Sequence, residues 1–568
     1  MQHKFLSRYT IILILLIFFH ISNNVYFLYQ DNFPLIADNY IHHQNSVNTF
    51  NKLKEGDISN LINQFVNFPC HQIVFLPNFF FYFVFGTSED VTAFQGTIFL
   101  VILIIATYLL GKELFNKDVG LLAAVFISFS PIVLAISKVP YDDIDFVALF
   151  TLTLYFFLKS KKFSDIKYTW FFNISLALTI LSKFGSIFVI LILVSTYSSL
   201  ILLFHRKELK DYLSNWKKRN IVHFFISFFI AMILPFRYYS IHLIKRTTLI
   251  TSSYNIKEFY YSNILNALFD YIKTINLNFG HVFIFFLFII SFAFFLVFSK
   301  KKKLLLISLV LGANIFHLSL LLFFSFLFED VHRHLVFIKP TYLLIISFFF
   351  VEFCYNVLLK SFKKFNLKTP NKKKYFIFVV VLSILLLIPF TLLYNYSGLI
   401  NRPSTHYPLF EKYYPTKLNY DVRTILNEIS NKHDDNITLF IFSPQNNFLD
   451  IFNTYVPSEY ININVVTLSL EDQSIEFMDE YVKRLEHYSY FDNYKNIDKS
   501  FKYHELINFD YVILPGKENI EEFGDYQLYF DYHSKIYDYI LNNKQKFQLF
   551  KEINLNDVNV TLLIYKIR

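Results

Sequence analysis

The sequence predicts a polytopic α-helical membrane protein with roughly eleven spans, carrying a soluble α/β domain at its C-terminus. Three observations predict it. First, 54% of the 568 residues are hydrophobic, 20% are aromatic and only 17% are charged, which is too apolar for a soluble globule around one core. Second, apolar runs alternate with short lysine-rich clusters from Lys4 to Lys374. Third, the runs stop after about Asn395 and the charge reverses sign. From Ser397 onward there are 17 Lys and Arg against 25 Asp and Glu, which leaves 36 and 19 of the chain's 53 and 44 for residues 1–396.

The net charge of +9 does not indicate nucleic acid, because the basic residues sit between apolar runs, where they anchor cytoplasmic turns to anionic lipid. Cys70 and Cys354 are too few and too far apart to argue a disulfide framework or a thiolate metal site. No glycine-rich phosphate loop or HExxH helix occurs, so nucleotide-dependent chemistry has no support.

Lys4 and Arg8 precede the run Tyr9 to Tyr29, long enough to cross about 30 Å of hydrocarbon. Ile21-Ser22-Asn23-Asn24-Val25 lacks a small-residue cleavage pattern, so an uncleaved span with its N-terminus inside is expected. The first outer loop, 31–90, then contains Asp31 and Asp38, a polar stretch from Asn39 to Asn63, and an interfacial apolar segment from Ile73 to Phe85. Val91 to Leu110 returns inward and Val119 to Ile136 runs outward, presenting Tyr141-Asp142-Asp143-Ile144-Asp145 on the outer side. Phe146 to Leu158 descends again. Trp170 to Leu181 and Ile187 to Phe204 form the next pair, broken at Ser182-Lys183-Phe184-Gly185. His223 to Pro235 crosses outward into a polar loop expected to last to about Phe279.

The lysine block Lys300 to Lys303 and the basic stretch Lys360 to Lys374 are separated by two spans, which puts Glu329-Asp330-Val331-His332-Arg333-His334 outside. Tyr375 to Leu393 delivers the tail, residues 397–568, to the outer compartment. There Asp421 to Ile429 reads as helix, Thr438 to Phe442 and Tyr511 to Leu514 as strands, and Phe547 to Ile567 as a hairpin. We expect the plasma (inner) membrane rather than the endoplasmic reticulum.

The outer side thus collects Asp38, the acids Asp142, Asp143 and Asp145, Lys183 at a helix break, and His332-Arg333-His334. These types suit transfer of a sugar from a lipid-phosphate carrier to an acceptor on a protein, lipid or glycan. The departing phosphate is a weak base, so one carboxylate base suffices and no general acid is needed. Positive charge on that phosphate can come from Arg333, or from a divalent cation such as Mg2+ or Mn2+ held by Asp143 and Asp145. Plainer roles compete at each position: the aspartates cap a helix, Arg333 anchors at headgroups and Lys183 snorkels to the surface. His42 and His43 lack a third metal partner and read as loop histidines.

Taken in order, these elements resemble the GT-C class of membrane glycosyltransferases, in particular the protein O-mannosyltransferase and lipid A aminoarabinose transferase group, and more distantly the catalytic subunits of oligosaccharyltransferases. The resemblance rests on Asp38 after the first span, the segment opened by Pro69, Gly120-Leu121-Leu122-Ala123-Ala124 leading to Ser130-Pro131, and the acidic turn Tyr141 to Asp145. It continues through Leu181 to Gly185, Leu234-Pro235-Phe236, and Arg333-His334-Leu335 with Pro340 following. It implies Asp38 as the catalytic acid/base, an assisting aspartate in the second loop, and Arg333, with His332, His334 and Lys183, near a polyprenyl-phosphate donor. The chain departs from the mannosyltransferase pattern in having Asp38-Asn39 for an Asp-Glu pair and Pro69-Cys70 for a proline pair. Two other classes stay open: a polysaccharide flippase, polymerase or transporter, against which the acids lie in loops rather than mid-helix, and a sensor whose tail binds a ligand.

Overall fold

A computed structural model describes residues 7–30, 38–57, 76–140, 142–161, 163–183, 185–204, 218–253, 282–298, 303–323, 336–357, 360, 371–396, 437–443, 463–469, 510–515, 536–555 and 560–567. The chain divides into two compact units, one of Met1–Tyr29 with Gln44–Pro415 and one of Gln30–His43 with Thr416–Arg568.

The described helices are α1 (Arg8–Gln30), α2 (Asp38–Lys54), α3 (Leu76–Phe85), α4 (Glu89–Leu114), α5 (Lys117–Ser128), α6 (Pro131–Ile136), α7 (Asp142–Lys159) and α8 (Ile166–Ser182). They continue with α9 (Ser186–Phe204), α10 (Lys218–Ser253), α11 (Val282–Phe298), α12 (Lys303–Phe323), α13 (Lys339–Phe348) and α14 (Lys372–Tyr396). Five described helical stretches are long and apolar enough to cross a membrane: Arg8–Tyr29, Glu89–Leu114, Ser186–Phe204, Asn220–Ser240 and Lys339–Val357. The protein is therefore an integral membrane protein built mostly of helices. Their outward faces carry large exposed apolar side chains such as Phe18, Leu203, Phe229 and Leu386, which suits contact with lipid tails.

The core of this unit is centred on α4, which packs on α5 and α7, while α5 packs on α13. Sequence accounts for the tight α4–α5 hairpin. Ser88 and Asn116 cap the two helices through their side chains. Where they meet, a Cβ on Gly120 would lie 2.5 Å from the Tyr108 carbonyl oxygen and 2.8 Å from the Lys112 nitrogen, so only glycine allows this approach. Leu121 to Val125 are then fully buried.

Three expectations change. The polar stretch from Asn39 is helical as far as Lys54, because it contains no Gly or Pro and Phe50 packs edge-on against Tyr82. Val119 to Ile136 is not one crossing rod: Pro131, which lacks an amide donor, forces an extended Ser130 and separates α5 from α6. The outer loop expected after Pro235 begins later, since α10 runs through Pro235 to Ser253. Tyr238 and Tyr239 hold it there, buried against Ile180 and Leu181. Residues 254–279 and 421–429 lie outside the described residues. After α13 the helix passes through a π-helical turn, Phe349–Cys354.

The second unit contains a five-stranded sheet of order β2-β1-β3-β5-β4, formed by β1 (Ile437–Ser443), β2 (Ile463–Ser469), β3 (Tyr511–Pro515), β4 (Phe547–Leu555) and β5 (Val560–Ile567). β1 pairs in parallel with β2 and β3, while β5 pairs antiparallel with β3 and β4, with a register shift between Leu549 and Lys551. β3 is central and fully buried at Tyr511, Val512 and Leu514, as its apolar sequence requires. Ile536 and Ile540 of a helix over 536–542 are buried as well. β2 and that helix were not among the predicted elements.

Candidate functional site: the acidic turn at the head of α7

α7 opens with Asp142, Asp143 and Asp145 in its first turn, where carboxylates are favoured by the unpaired amides and the positive end of the helix. Capping accounts for their position in the sequence, but not for their burial. Asp143 and Asp145 are 2% and 0% exposed, ahead of the apolar stretch from Phe146 to Leu158.

Asp142 and Asp143 share one partner and Asp145 has another. Lys183, the C-cap of α8, reaches across and bonds Asp143 Oδ1 through Nζ, and the same ammonium lies 3.6 Å from Asp142 Oδ1. The break at Lys183 that was visible in the sequence thus delivers a cation to the acidic turn. Its backbone is held as well: the Lys183 carbonyl accepts from Ser186 N at 3.0 Å and from the Tyr239 hydroxyl at 3.4 Å. Asp145 Oδ2 accepts from Gln95 Nε2 at 2.7 Å, and Gln95 Oε1 in turn accepts from Asn78 Nδ2 at 2.8 Å. A chain of side-chain hydrogen bonds therefore runs from α7 through α4 to α3. Burial raises the Asp145 carboxyl well above its usual range, the charges of Asp142 and Asp143 push the same way, and the Gln95 bond opposes them.

α4 carries a second polar contact two residues on. Asn24 Nδ2 of α1 donates to Thr97 Oγ1 at 3.1 Å and to Ser137 Oγ at 3.0 Å. Gly96 makes this approach possible, since a Cβ there would sit 2.5 Å from the Ser137 carbonyl oxygen. Lys138 beside it is buried, with Nζ 4.0 Å from the centre of the Phe27 ring.

For a Mg2+ or Mn2+ ion the proposed pair does not fit. Asp143 Oδ1 is engaged by the Lys183 ammonium and Asp145 Oδ2 by Gln95, which leaves at most one oxygen of each for an ion, and among the described residues no three His, Cys, Asp or Glu side chains form a ligand set. Asp38 begins α2, but its side chain is outside the described set, as are His332, Arg333, His334 and Asp31 entirely. The structure therefore brings together Asp142, Asp143, Asp145 and Lys183. Gln95 and Asn78 were missed in the sequence, although a glutamine inside an apolar helix is itself a signal that a buried polar partner is present.

This geometry lies within a stretch that known proteins share. Residues 75–239 match the family model described as dolichyl-phosphate-mannose-protein mannosyltransferase. Among solved structures, ArnT from Cupriavidus metallidurans aligns over 97% of both chains at 11% identity with a TM-score of 0.51, in the apo state and equally when bound to undecaprenyl phosphate. This is the GT-C fold of the mannosyltransferase and ArnT type. The archaeal oligosaccharyltransferase AglB from Archaeoglobus fulgidus, in complex with an inhibitory peptide and a dolichol-phosphate, is a weaker likeness at 13% identity and a TM-score of 0.46, over 78% of this chain and 63% of that one. The chain thus spans less than two thirds of that transferase. No curated protein matches the chain in sequence. Within the GT-C fold, the family match contains Asn78, Gln95, the three acids, Lys183 and Tyr239, so every described partner of the acidic turn falls inside it.

Proposed function

We propose that the protein is a membrane glycosyltransferase that moves a sugar from a polyprenyl-phosphate donor to an acceptor hydroxyl or amide of a protein, lipid or glycan on the outer face. The observation that carries this reading is the acidic turn of α7, buried at Asp143 and Asp145 and paired with Lys183, inside a chain that shares the ArnT fold over 97% of its length. The bond from the sugar's anomeric carbon to the carrier phosphate breaks and its electron pair leaves with the phosphate. The acceptor atom forms the new bond and passes its proton to a carboxylate.

Asp38 is that base. Asp143 and Asp145 shape the acceptor side, Asp143 through its Lys183 partner and Asp145 through Gln95. Lys183, Arg333, His332 and His334 supply positive charge or donors toward the phosphate. In this reading residues 1–396 cross the membrane roughly eleven times, and residues 397–568 form an extracytoplasmic α/β domain, which the mixed sheet supports.

The test supplies purified full-length protein with a radiolabelled polyprenyl-phosphate sugar and measures release of the carrier. Asp38→Asn keeps shape and hydrogen-bonding reach but not basicity, and should slow transfer by about 10² to 10⁴. Asp31→Asn should be tolerated. Near-normal turnover in Asp38→Asn moves the base to Asp142, Asp143 or Asp145. Sugar carried across sealed vesicles with no carrier release would favour a transporter instead.

A further inference from the structure

Lys339 has no role in the site described so far, yet it is a charged side chain buried in the helical unit. It is 8% exposed, and it opens α13 between Ile338, 2% exposed, and the buried Pro340 and Thr341. Its Nζ donates to Ser130 Oγ at 3.1 Å, and Ser130 is itself 9% exposed. The ion pairs among the described residues join Lys52 with Glu55, Lys159 with Glu113, and Lys183 with Asp142 and Asp143, and none includes Lys339. Among the described residues the hydrogen-bond partner of this ammonium is the Ser130 hydroxyl, and burying a cation without a counter-charge is destabilising, which a bound anion would offset.

The surroundings favour an anion over a structural role. Ser130 can accept from Lys339 and still donate its own hydrogen, so the two side chains together offer a positive charge and a hydroxyl donor. Lys339 is also the first residue of a ten-residue helix, whose positive end favours the same sign of ligand. The preceding turn, Val336–Ile338, packs Phe337 at a tilt against Phe146 and edge-on against Phe150 of α7, with ring centres 5.7 Å apart in both pairs. Lys339 therefore enters the bundle beside the helix that carries the acidic turn.

We propose that Lys339, with Ser130, binds the phosphate of the polyprenyl carrier. This rests on the transferase reading above and adds to it a phosphate ligand that comes from the helical bundle rather than from an outer loop.

The test uses the full chain in nanodiscs and reads two quantities, the melting temperature without ligand and its increase on adding undecaprenyl phosphate, undecaprenol or inorganic phosphate. Lys339→Met removes the charge while keeping the bulk. It should raise the ligand-free melting temperature, because a buried charge is replaced by a thioether of similar shape, and weaken undecaprenyl phosphate binding at least about tenfold. Lys339→Arg should retain most of the binding. A lower ligand-free melting temperature in Lys339→Met together with wild-type binding would overturn the proposal and make Lys339 structural. An equal response to inorganic phosphate would overturn the assignment to a lipid carrier. If the wild type binds undecaprenyl phosphate no better than undecaprenol, the transferase reading itself fails, whereas binding that survives in Lys339→Met removes only Lys339.

Discussion

The pair formed by Lys183 and Asp143 can be broken from either side, and the structure sets how much each break costs. Their side chains are 14% and 3% exposed, so Asp143 is shut off from water and Lys183 largely so. Asp143→Asn leaves the ammonium beside a neutral amide and Asp142 at 3.6 Å, while Lys183→Met takes the Lys183 ammonium from a carboxylate that is 2% exposed. Breaking a buried pair from one side costs about 3 to 5 kcal/mol, and removing both partners costs less, because the one carboxylate then left without Lys183 is that of Asp142, whose side chain is 20% exposed and closer to water than that of Asp143. The double variant Asp143→Asn with Lys183→Met should therefore be more stable than the sum of the singles by about 2 kcal/mol or more. Denaturant titration of the four proteins in mixed micelles measures this coupling. Single losses below about 1 kcal/mol, or strict additivity, would show that water screens the pair and that the buried-pair argument is wrong.

Two further outcomes follow from other contacts. Burial raises the Asp145 carboxyl above its ordinary value of 3.8, so the folded chain keeps this proton to higher pH than the unfolded chain does, and the group makes stability fall as pH rises from there toward the raised value. Asp145→Asn should flatten that part of the profile of melting temperature against pH, and an unchanged slope would refute the upward shift. At the α4–α5 contact, Gly120→Ala places a Cβ 2.5 Å from a backbone oxygen and should cost about 1 to 3 kcal/mol, whereas Gly185→Ala meets nothing within 4 Å and should be nearly neutral in the same titration.

By itself the sequence determined the class of the protein. Apolar runs between lysine clusters can only be satisfied by helices in lipid, where each backbone group must bond within its own segment, and the apolar strands of the tail had to pair with one another. The break at Lys183 was legible too, whereas Pro131 interrupts a stretch that hydrophobicity alone reads as one span. What the tertiary structure decided is which distant polar groups meet. That Lys183 reaches Asp143, that Gln95 links Asp145 to Asn78, and that Lys339 finds Ser130 depend on helix rotations and on close approaches at Gly96 and Gly120. Hydrophobic periodicity constrains those rotations only loosely when helices are apolar on every side, as Val282–Phe298 is. The length of α10 was hidden for the same reason. A proline normally argues for a helix end, and here packing of Tyr238 and Tyr239 against a neighbouring helix outweighs it.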